Sequence, residues 1–197
     1  MILFFPILFA VSDSNDDREI ARRLKNRDAE ALGLLYDRYG RMAFAIIQRI
    51  VKDAGITEDL VQETFLRVWN RVHAFDDQKG ALGPWIMTVA RNRAIDHLRS
   101  VEGRMSQNMY EFTGNERPDL FGDLEKDMLN SDRARILRAA FTKLNQNQKT
   151  VLELAYFEGL SQTEMAEHMN QPLGTIKTWV RSALQALRSE LGEALTA

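Results

Sequence analysis

Apolar side chains recur at every third or fourth position along most of the chain, which is the spacing of an amphipathic α-helix. The longest such run spans positions 32–50, and its apolar members are Leu32, Leu35, Tyr36, Tyr39, Met42, Ala43, Ile46, Ile47 and Ile50. No convincing two-residue alternation, the mark of a half-buried β-strand, occurs anywhere in the sequence. The pattern therefore predicts an all-α fold, with a broad buried face on this first long helix.

Two further helices are predicted in the first half of the chain. We expect Gly55 to end the first helix and Thr57 to cap the second. The inward face of the second helix consists of Val61, Phe65, Val68, Trp69 and Val72. Gly83 and Pro84 open the third helix, because proline is tolerated in a first helical turn. Its buried stripe consists of Ile86, Val89, Ala90, Ala94 and Leu98.

The helical period fades between residues 105 and 132, where glycines and a proline interrupt the pattern. From Glu111 to Asp132 this segment holds seven acidic and two basic residues. Such a composition predicts a flexible acidic linker. The chain is therefore expected to form two small helical domains, at residues 16–104 and 133–197.

The last third of the chain combines two helical patterns across a short break. Ser161 and Glu164 have the spacing of a capping box and predict the start of the first helix. The stretch from Asn170 to Gly174 prevents the helix from continuing and turns the chain. A second helix is expected from about Thr175. Its packed side consists of Ile176, Val180, Ala183, Leu184, Leu187 and Leu191.

This helix pair predicts a helix-turn-helix, in which the first turns of the second helix point at DNA base edges. The outward residues near that end are Lys177, Thr178, Arg181 and Ser182. A capped helix pair in an ordinary bundle would produce a similar pattern, so a purely structural role stays open at this point. We expect Trp179 to pack on the preceding helix rather than to contact DNA.

Residues 1–15 precede the helical pattern and begin with the apolar run MILFFPILFAV. This run is shorter than the roughly 20 apolar residues of a membrane span. No lysine or arginine precedes it, as one would in a secretory signal. We expect a flexible tail, or a start codon placed too early, rather than a membrane anchor.

Composition limits the kinds of function that the chain can have. It holds 26 lysines and arginines against 28 aspartates and glutamates, so its net charge of -2 gives no overall attraction to nucleic acid. Any contact with DNA must therefore come from local patches. The absence of cysteine excludes disulfides and thiolate metal sites, and it fits a reducing cytosol.

The residue pattern predicts neither catalysis nor metal binding. His73, His97 and His168 are scattered and have no partners at ligand spacing, so no metal or other cofactor is expected. A recombinase with a DNA-binding tail would need a nucleophile domain, yet the first half shows no strand pattern and no convergent Ser/Arg cluster. The isolated chain is therefore not expected to be an enzyme.

Three stretches resemble a known family, in the same order along the chain. EDLVQETFLRVW, from Glu58 to Trp69, and GPWIMTVARNRAIDHLR, from Gly83 to Arg99, resemble the second conserved region of bacterial RNA polymerase sigma factors. LSQTEMAEHMNQPLGTIKTWVRSAL is similar to the fourth region of the extracytoplasmic-function group, whose short two-domain chains this one also resembles. Three motifs in this order are more specific than any one of them. The resemblance covers about residues 16–191.

The resemblance implies an alternative sigma factor that binds core RNA polymerase and directs it to promoter DNA in the cytoplasm. It also implies an anti-sigma factor as a partner, and a membrane only indirectly, if that inhibitor is membrane-bound. A free-standing helix-turn-helix regulator is the alternative. Such a regulator would need its own dimer interface and enough positive charge to hold DNA alone, and neither is evident.

The resemblance also implies roles for individual residues. The second helix would dock on the clamp coiled coil of the polymerase through Asp59, Gln62, Glu63 and Arg67. The FDDQKG loop and the third helix would act at the minus-ten element through Lys79, Arg91, Asn92 and Arg99. The last helix would read the minus-thirty-five element through Lys177, Thr178, Arg181 and Ser182. The alternative for the polar strip is a solvated helix face, and Arg93 would either contact phosphate or pair with Asp96.

Overall fold

A computed structural model describes residues 15–78, 80–105 and 139–196. Its α-helices are α1 Asn15–Lys25, α2 Ala29–Val51, α3 Ala54–Arg71, α4 Leu82–Met105, α5 Gln146–Tyr156, α6 Gln162–His168 and α7 Leu173–Thr196. Residues 139–142 are also helical, and Val72–Ala74 form one turn of 3-10 helix. No strand occurs within these ranges, so the predicted all-α fold is confirmed.

The described residues fall into two compact units. The first unit contains the described residues up to 105, and the second contains residues 139–196. A two-domain helical arrangement is thus confirmed. Three predicted features lie outside the described residues. They are the tail, of which only residue 15 is described, the acidic linker, of which only residue 105 is described, and Lys79. None of the helices in the described ranges is both long and apolar enough to cross a membrane.

In the first unit, α2 is the central helix. It packs against α3 and α4, which also contact each other, while α1 lies against α2 and α4. The core includes Leu24, Leu35, Ile46, Ile47, Leu60, Val68, Ile86 and Ala90. Tyr36 was predicted to join this core but is 49% exposed, because it lies at the edge of the buried stripe. Its ring packs there against Phe65, with 5.1 Å between the ring centroids.

The junction between α2 and α3 differs from the prediction. Gly55 lies inside α3, and α2 instead ends just before Lys52, which adopts a left-handed conformation with a φ of 58°. Asp53, rather than Thr57, caps α3, since its carboxylate accepts a hydrogen bond from the Ile56 N–H at 2.9 Å. Thr57 is buried, and its hydroxyl donates to the Asp53 carbonyl oxygen at 2.6 Å. Aspartate is the stronger N-cap residue, which explains the earlier start.

A buried polar contact fastens α1 to α2 beside the first turn of α4. The Tyr39 hydroxyl donates to Asp17 Oδ2 at 2.8 Å, and Asp17 is only 1% exposed. Arg38 Nε lies 3.1 Å from the other carboxylate oxygen of Asp17. Gly83 approaches the Tyr39 ring so closely that a Cβ there would lie 2.9 Å from a ring carbon. These contacts bring α1, α2 and the first turn of α4 together around Tyr39.

Two capping boxes start the helices of the second unit. In α5, Asn145 and Gln148 bind each other's backbone N–H groups through their side chains. In α6, Ser161 Oγ accepts from the Glu164 N–H at 3.2 Å, and Glu164 Oε2 accepts from the Ser161 N–H at 2.5 Å. The box predicted for α6 is therefore confirmed.

The turn between α6 and α7 is tight, and the two helices form the predicted helix-turn-helix. Asn170 reverses the chain with a φ of 50°. Helix α7 begins at Leu173, two residues earlier than predicted, because the Pro172 carbonyl already accepts from the Thr175 N–H at 2.9 Å. The buried side chains of the pair are Met165, Ile176, Val180, Ala183 and Leu187. The side chain of Leu191 lies outside the described residues.

Candidate functional site

The outer face of α3 carries the four residues predicted to contact the polymerase. Leu60, Val61, Thr64, Phe65 and Val68 bury the opposite face of this helix. Asp59, Gln62, Glu63 and Arg67 are all exposed. These four exposed residues lie on one face of α3, and we call them the α3 strip.

Leu66 lies within the α3 strip and was not singled out in the sequence. Its side chain is 57% exposed, although leucine is usually buried. It falls outside the three- and four-residue spacing of the buried stripe, and that mismatch is the signal by which it could have been found. An apolar side chain surrounded by polar ones is the arrangement found at the centres of protein interfaces.

A second exposed apolar area lies on α2. Tyr36 and Phe44 are both exposed and are eight residues apart, so they lie on the same side of the helix. The contact of Tyr36 with Phe65 places this side of α2 next to α3. Gly40 lies between the two aromatic residues, and a Cβ there would lie 3.4 Å from the Tyr36 ring. The α2 aromatic residues therefore extend the surface that faces solvent beside α3.

Glu63 connects the α3 strip to α4. Its Oε2 accepts a hydrogen bond from Arg93 Nε, which forms an ion pair between the two helices. This hydrogen bond holds the pKa of Glu63 below its ordinary value, while the charges on Arg67 and His97 act in the same direction and partial burial opposes them. Arg93 is thus paired with Glu63, a partner that the sequence did not suggest.

The residues predicted for the minus-ten element lie along α4. Asn92 and Arg99 are seven residues apart, or about two helical turns, and so lie on the same side. The Arg91 side chain leaves α4 about 100° around the helix from Asn92, but its Nη1 donates to Asn92 Oδ1 at 3.0 Å. Arg99 is exposed, whereas Arg91 and Asn92 are half-buried. Lys79 lies outside the described residues, so three of the four predicted residues can be placed.

The outer face of α7 carries Lys177, Thr178 and Arg181, all exposed. Gln185 and Arg188 continue this face toward the end of the helix and are also exposed. We call these five residues the α7 strip. Its spacing of three and four residues keeps it on one side of the helix.

Ser182 is separated from the α7 strip by its contacts. It is half-buried, and its hydroxyl donates to the Trp179 carbonyl oxygen and accepts from Gln148 Nε2, both at 3.1 Å. The contact with Gln148 joins Ser182 to α5. Leu173, in contrast, is exposed at the start of α7 and was not singled out in the sequence.

Within the described residues, no three His, Asp or Glu side chains come close enough together to hold a metal ion. The surface on α3 carries both acidic and basic side chains, whereas the charged side chains named for the surfaces on α4 and α7 are all basic.

Two family models match the chain, and they match its two units in turn. The model for Sigma-70 region 2 matches residues 35–104. The model for Sigma-70 region 4 matches residues 134–187. Together they account for more than half of the chain.

Full-length relatives agree with these matches. The chain is 30% identical to the ECF RNA polymerase sigma factor SigK of Mycolicibacterium vanbaalenii over 176 residues, which cover 89% of either protein. It is 30% identical to SigK of Mycobacterium tuberculosis over 178 residues, covering 89% of this chain and 94% of that protein.

A solved structure is also similar in sequence: Rhodobacter sphaeroides SigE in complex with the anti-sigma ChrR. The identity is 26%, the match covers 88% of this chain and 99% of SigE, and the TM-score is 0.45. The family assignment depends on the two region models and on the SigK relatives. By those matches, the chain belongs to the extracytoplasmic-function RNA polymerase sigma factors, which are initiation factors for transcription and not catalytic enzymes.

Proposed function

We propose that this sigma factor works through three separate surfaces, one for the polymerase and one for each promoter element. Residues 16–104 would form the domain for the polymerase and the minus-ten element, and residues 133–197 the domain for the minus-thirty-five element. Residues 105–132 would join them. The observation that carries the proposal is that each matched unit exposes a polar helix face, with Asp59, Gln62, Glu63 and Arg67 on α3 and Lys177, Thr178 and Arg181 on α7.

The α3 strip is the surface proposed for core RNA polymerase. Asp59, Gln62, Glu63 and Arg67 supply charges and hydrogen-bonding groups, which give an interface its orientation and partner choice. Leu66 supplies apolar area among them. Full burial of an exposed leucine side chain is worth about 1.5–3 kcal/mol, so Leu66 would add a binding energy that the charged residues do not supply.

The minus-ten element is proposed to bind along α4. Arg99 can neutralise a phosphate, and the Asn92 amide can bind a base edge. The hydrogen bond from Arg91 to the Asn92 oxygen fixes that amide and leaves its NH₂ group as the donor toward DNA. Lys79 belongs to this proposal on the grounds of sequence alone.

The minus-thirty-five element is proposed to bind the α7 strip in the major groove. Lys177, Arg181 and Arg188 carry positive charge along one side of the helix, while Thr178 and Gln185 can bind base edges. Thr178 already donates its hydroxyl proton to the Gly174 carbonyl oxygen at 2.9 Å, so toward DNA it would act as an acceptor. Ser182 is the weakest candidate of the four predicted residues, since α5 engages its hydroxyl.

The charge balance supports a function that depends on the polymerase. With a net charge of -2 the chain has few phosphate contacts to offer, so its own affinity for DNA would be low and only weakly salt-dependent. Attachment to the polymerase raises the local concentration of promoter DNA at each surface, and weak contacts then suffice.

An anti-sigma factor is proposed as a further partner, and the cytoplasm as the place of action. Solved structures similar to this chain include SigE bound to the anti-sigma ChrR. The exposed α2 aromatic residues and Leu66 are apolar surface that an inhibitor could cover. A membrane would then matter only through the inhibitor, if that protein is membrane-bound.

Reconstitution with core RNA polymerase tests the proposal. The purified chain should form a complex with core polymerase and give promoter-dependent initiation on DNA from its own genome. Failure to bind core polymerase at low salt would overturn the proposed docking. A tight, sequence-selective complex of the chain alone with duplex DNA would instead favour a free-standing regulator.

A further inference from the structure

Arg93 lies at the interface between the helix proposed for the polymerase and the helix proposed for the minus-ten element. Its Nε donates to Glu63 Oε2, and the Arg93 side chain is 26% exposed while that of Glu63 is 50% exposed. Glu63 belongs to the α3 strip, whereas Arg93 follows Asn92 on α4. One ion pair therefore joins two surfaces that are proposed to bind different macromolecules.

We propose that Arg93 is a further promoter-contact residue, which Glu63 holds in the free protein and releases when the polymerase docks on α3. This inference rests on the proposed function of the α3 strip. A cation of the polymerase that binds the Glu63 carboxylate displaces Arg93 from it. The released guanidinium then pairs with a phosphate of the promoter strand that lies along α4.

The exposure of the pair allows such an exchange. A half-exposed ion pair contributes little net stability, because water solvates both charges when the pair breaks. Glu63 remains ionised in the free protein, since Arg93, Arg67 and His97 all favour its charged form. It is thus an anion available to either cation, the one from α4 or one from the polymerase.

The position of Arg93 suits the second half of the exchange. Successive residues are about 100° apart around a helix, so Arg93 starts about 100° from Asn92, on the flank of α4 opposite to Arg91. The long side chain reaches the edge of the surface that carries Asn92 and Arg99 once Glu63 no longer holds it. Because arginine is always protonated in proteins, its release adds one positive charge to the DNA-facing side of α4. This one phosphate contact thereby becomes conditional on contact with the polymerase.

The first experiment measures the affinity of the chain, without polymerase, for a labelled single-stranded DNA of mixed sequence. No promoter is needed, because a phosphate contact does not depend on base sequence. Glu63→Gln should release Arg93 and add one phosphate contact. Counterion release then predicts an affinity gain of about fivefold at about 0.1 M salt and a log–log salt dependence steeper by about 0.7. Circular dichroism should show that the variant keeps its helix content.

Two controls separate release of Arg93 from the simple loss of a negative charge. Glu58→Gln removes the same charge from an exposed position of the same helix and should not steepen the salt dependence. Arg93→Gln in the Glu63→Gln background should return the affinity to that of Glu58→Gln. A gain no larger than that of Glu58→Gln, or one that survives Arg93→Gln, would overturn the inference.

The second experiment compares Arg93→Gln in the holoenzyme and in the free chain. On a promoter that the wild-type holoenzyme uses, the substitution should weaken the promoter complex about fivefold, by the same counterion argument. In the free chain Arg93→Gln should change the DNA affinity by less than about twofold, because Arg93 is already paired with Glu63 there. Equal effects in the two states would overturn the exchange.

Failure of the docking proposal itself would look different. Asp59→Ala combined with Gln62→Ala should weaken binding to core polymerase, and Arg93 has no part in that measurement. Unchanged polymerase affinity would remove the α3 strip as the docking surface and with it the trigger for release. The free-chain comparison of Glu63→Gln with Glu58→Gln would still decide whether Glu63 masks Arg93.

Discussion

Two glycines of the first unit have different surroundings, although both lie in helices. A Cβ at Gly33 would meet no atom within 4 Å, whereas one at Gly83 would lie 2.9 Å from the Tyr39 ring. Tyr39 cannot move away easily, because it is buried and its hydroxyl binds Asp17. The same added methyl group should therefore have opposite effects at these two residues.

Gly83→Ala is expected to destabilise the first unit by about 1–3 kcal/mol, which is the usual cost of overpacking a core. Gly33→Ala is expected to stabilise it by up to about 1 kcal/mol, because alanine loses less backbone entropy in a helix interior. Urea unfolding followed by circular dichroism measures both changes. If both variants shifted stability in the same direction, the close contact between Gly83 and Tyr39 would not explain the choice of glycine.

Leu66 and Leu34 provide a matched pair for the polymerase surface. Both are exposed leucines, but Leu66 lies in the α3 strip, whereas Leu34 on α2 is about 200° around the helix axis from Tyr36. Leu66→Ala should weaken binding to core polymerase by more than about 1 kcal/mol, or at least fivefold, because it removes carbon atoms worth about 0.8 kcal/mol each when buried. Leu34→Ala should leave that affinity unchanged. Fluorescence anisotropy with core polymerase distinguishes them, and equal effects would exclude a central role for Leu66.

At the scale of the elements, polar caps decide where the short helices start. Helix α6 has only seven residues, so its own backbone hydrogen bonds contribute little and the Ser161–Glu164 box satisfies donors that would otherwise lack partners. The adjoining turn at Asn170 then sets the direction of α7. The cap and the turn thus define the two ends of α6, the helix on which the proposed reading helix packs.

Ser161→Ala is expected to destabilise α6 by about 1 kcal/mol, the usual loss for an N-cap. Hydrogen exchange of the α6 amides should become correspondingly faster, by about fivefold. Thr163→Ala is the control, because Thr163 is exposed in the same helix and alanine is the better helix former. Unchanged exchange in the serine variant would mean that tertiary packing alone determines the start of α6.

At the scale of the whole molecule, charge is distributed unevenly within a nearly neutral chain. The α7 strip places three cations on one side of a helix, while the acidic residues elsewhere cancel them in the net charge. A local strip of this kind can bind a DNA backbone at close range, but it exerts little attraction at distances beyond the screening length of about 10 Å. The polymerase must therefore bring the strip to the promoter.

Lys177→Ala combined with Arg181→Ala should reduce initiation at promoters that depend on the minus-thirty-five element. The log–log salt dependence of promoter binding should also become shallower, by about 1 for each lost phosphate contact. Binding to core polymerase should not change, because both residues lie in the other unit from the α3 strip. Lys143→Ala is the control: it removes an exposed cation of the same unit that pairs with Glu190 at 2.6 Å. An equal loss of polymerase binding and promoter binding in the double variant would contradict the assignment.

The sequence alone determined the helical fold class, the division into two units and the family. Helical periodicity, the capping box at Ser161 and the opening of α4 near Gly83 depend on neighbours in the chain, so they can be recognised locally. The outward direction of Asp59, Gln62 and Lys177 followed from the same periodicity, because the buried stripe of a helix defines its opposite face.

Only the tertiary structure decided which helices meet and which side chains pair across them. The partner of Arg93 is 30 residues away on α3, and the partner of Ser182 is 34 residues away on α5. Helical spacing carries no information about such contacts, because it fixes the face of one helix and not its neighbour. For the same reason Tyr36 was wrongly predicted to be buried and Leu66 was overlooked. Whether a residue at the edge of the buried stripe or outside it is exposed depends on what packs there.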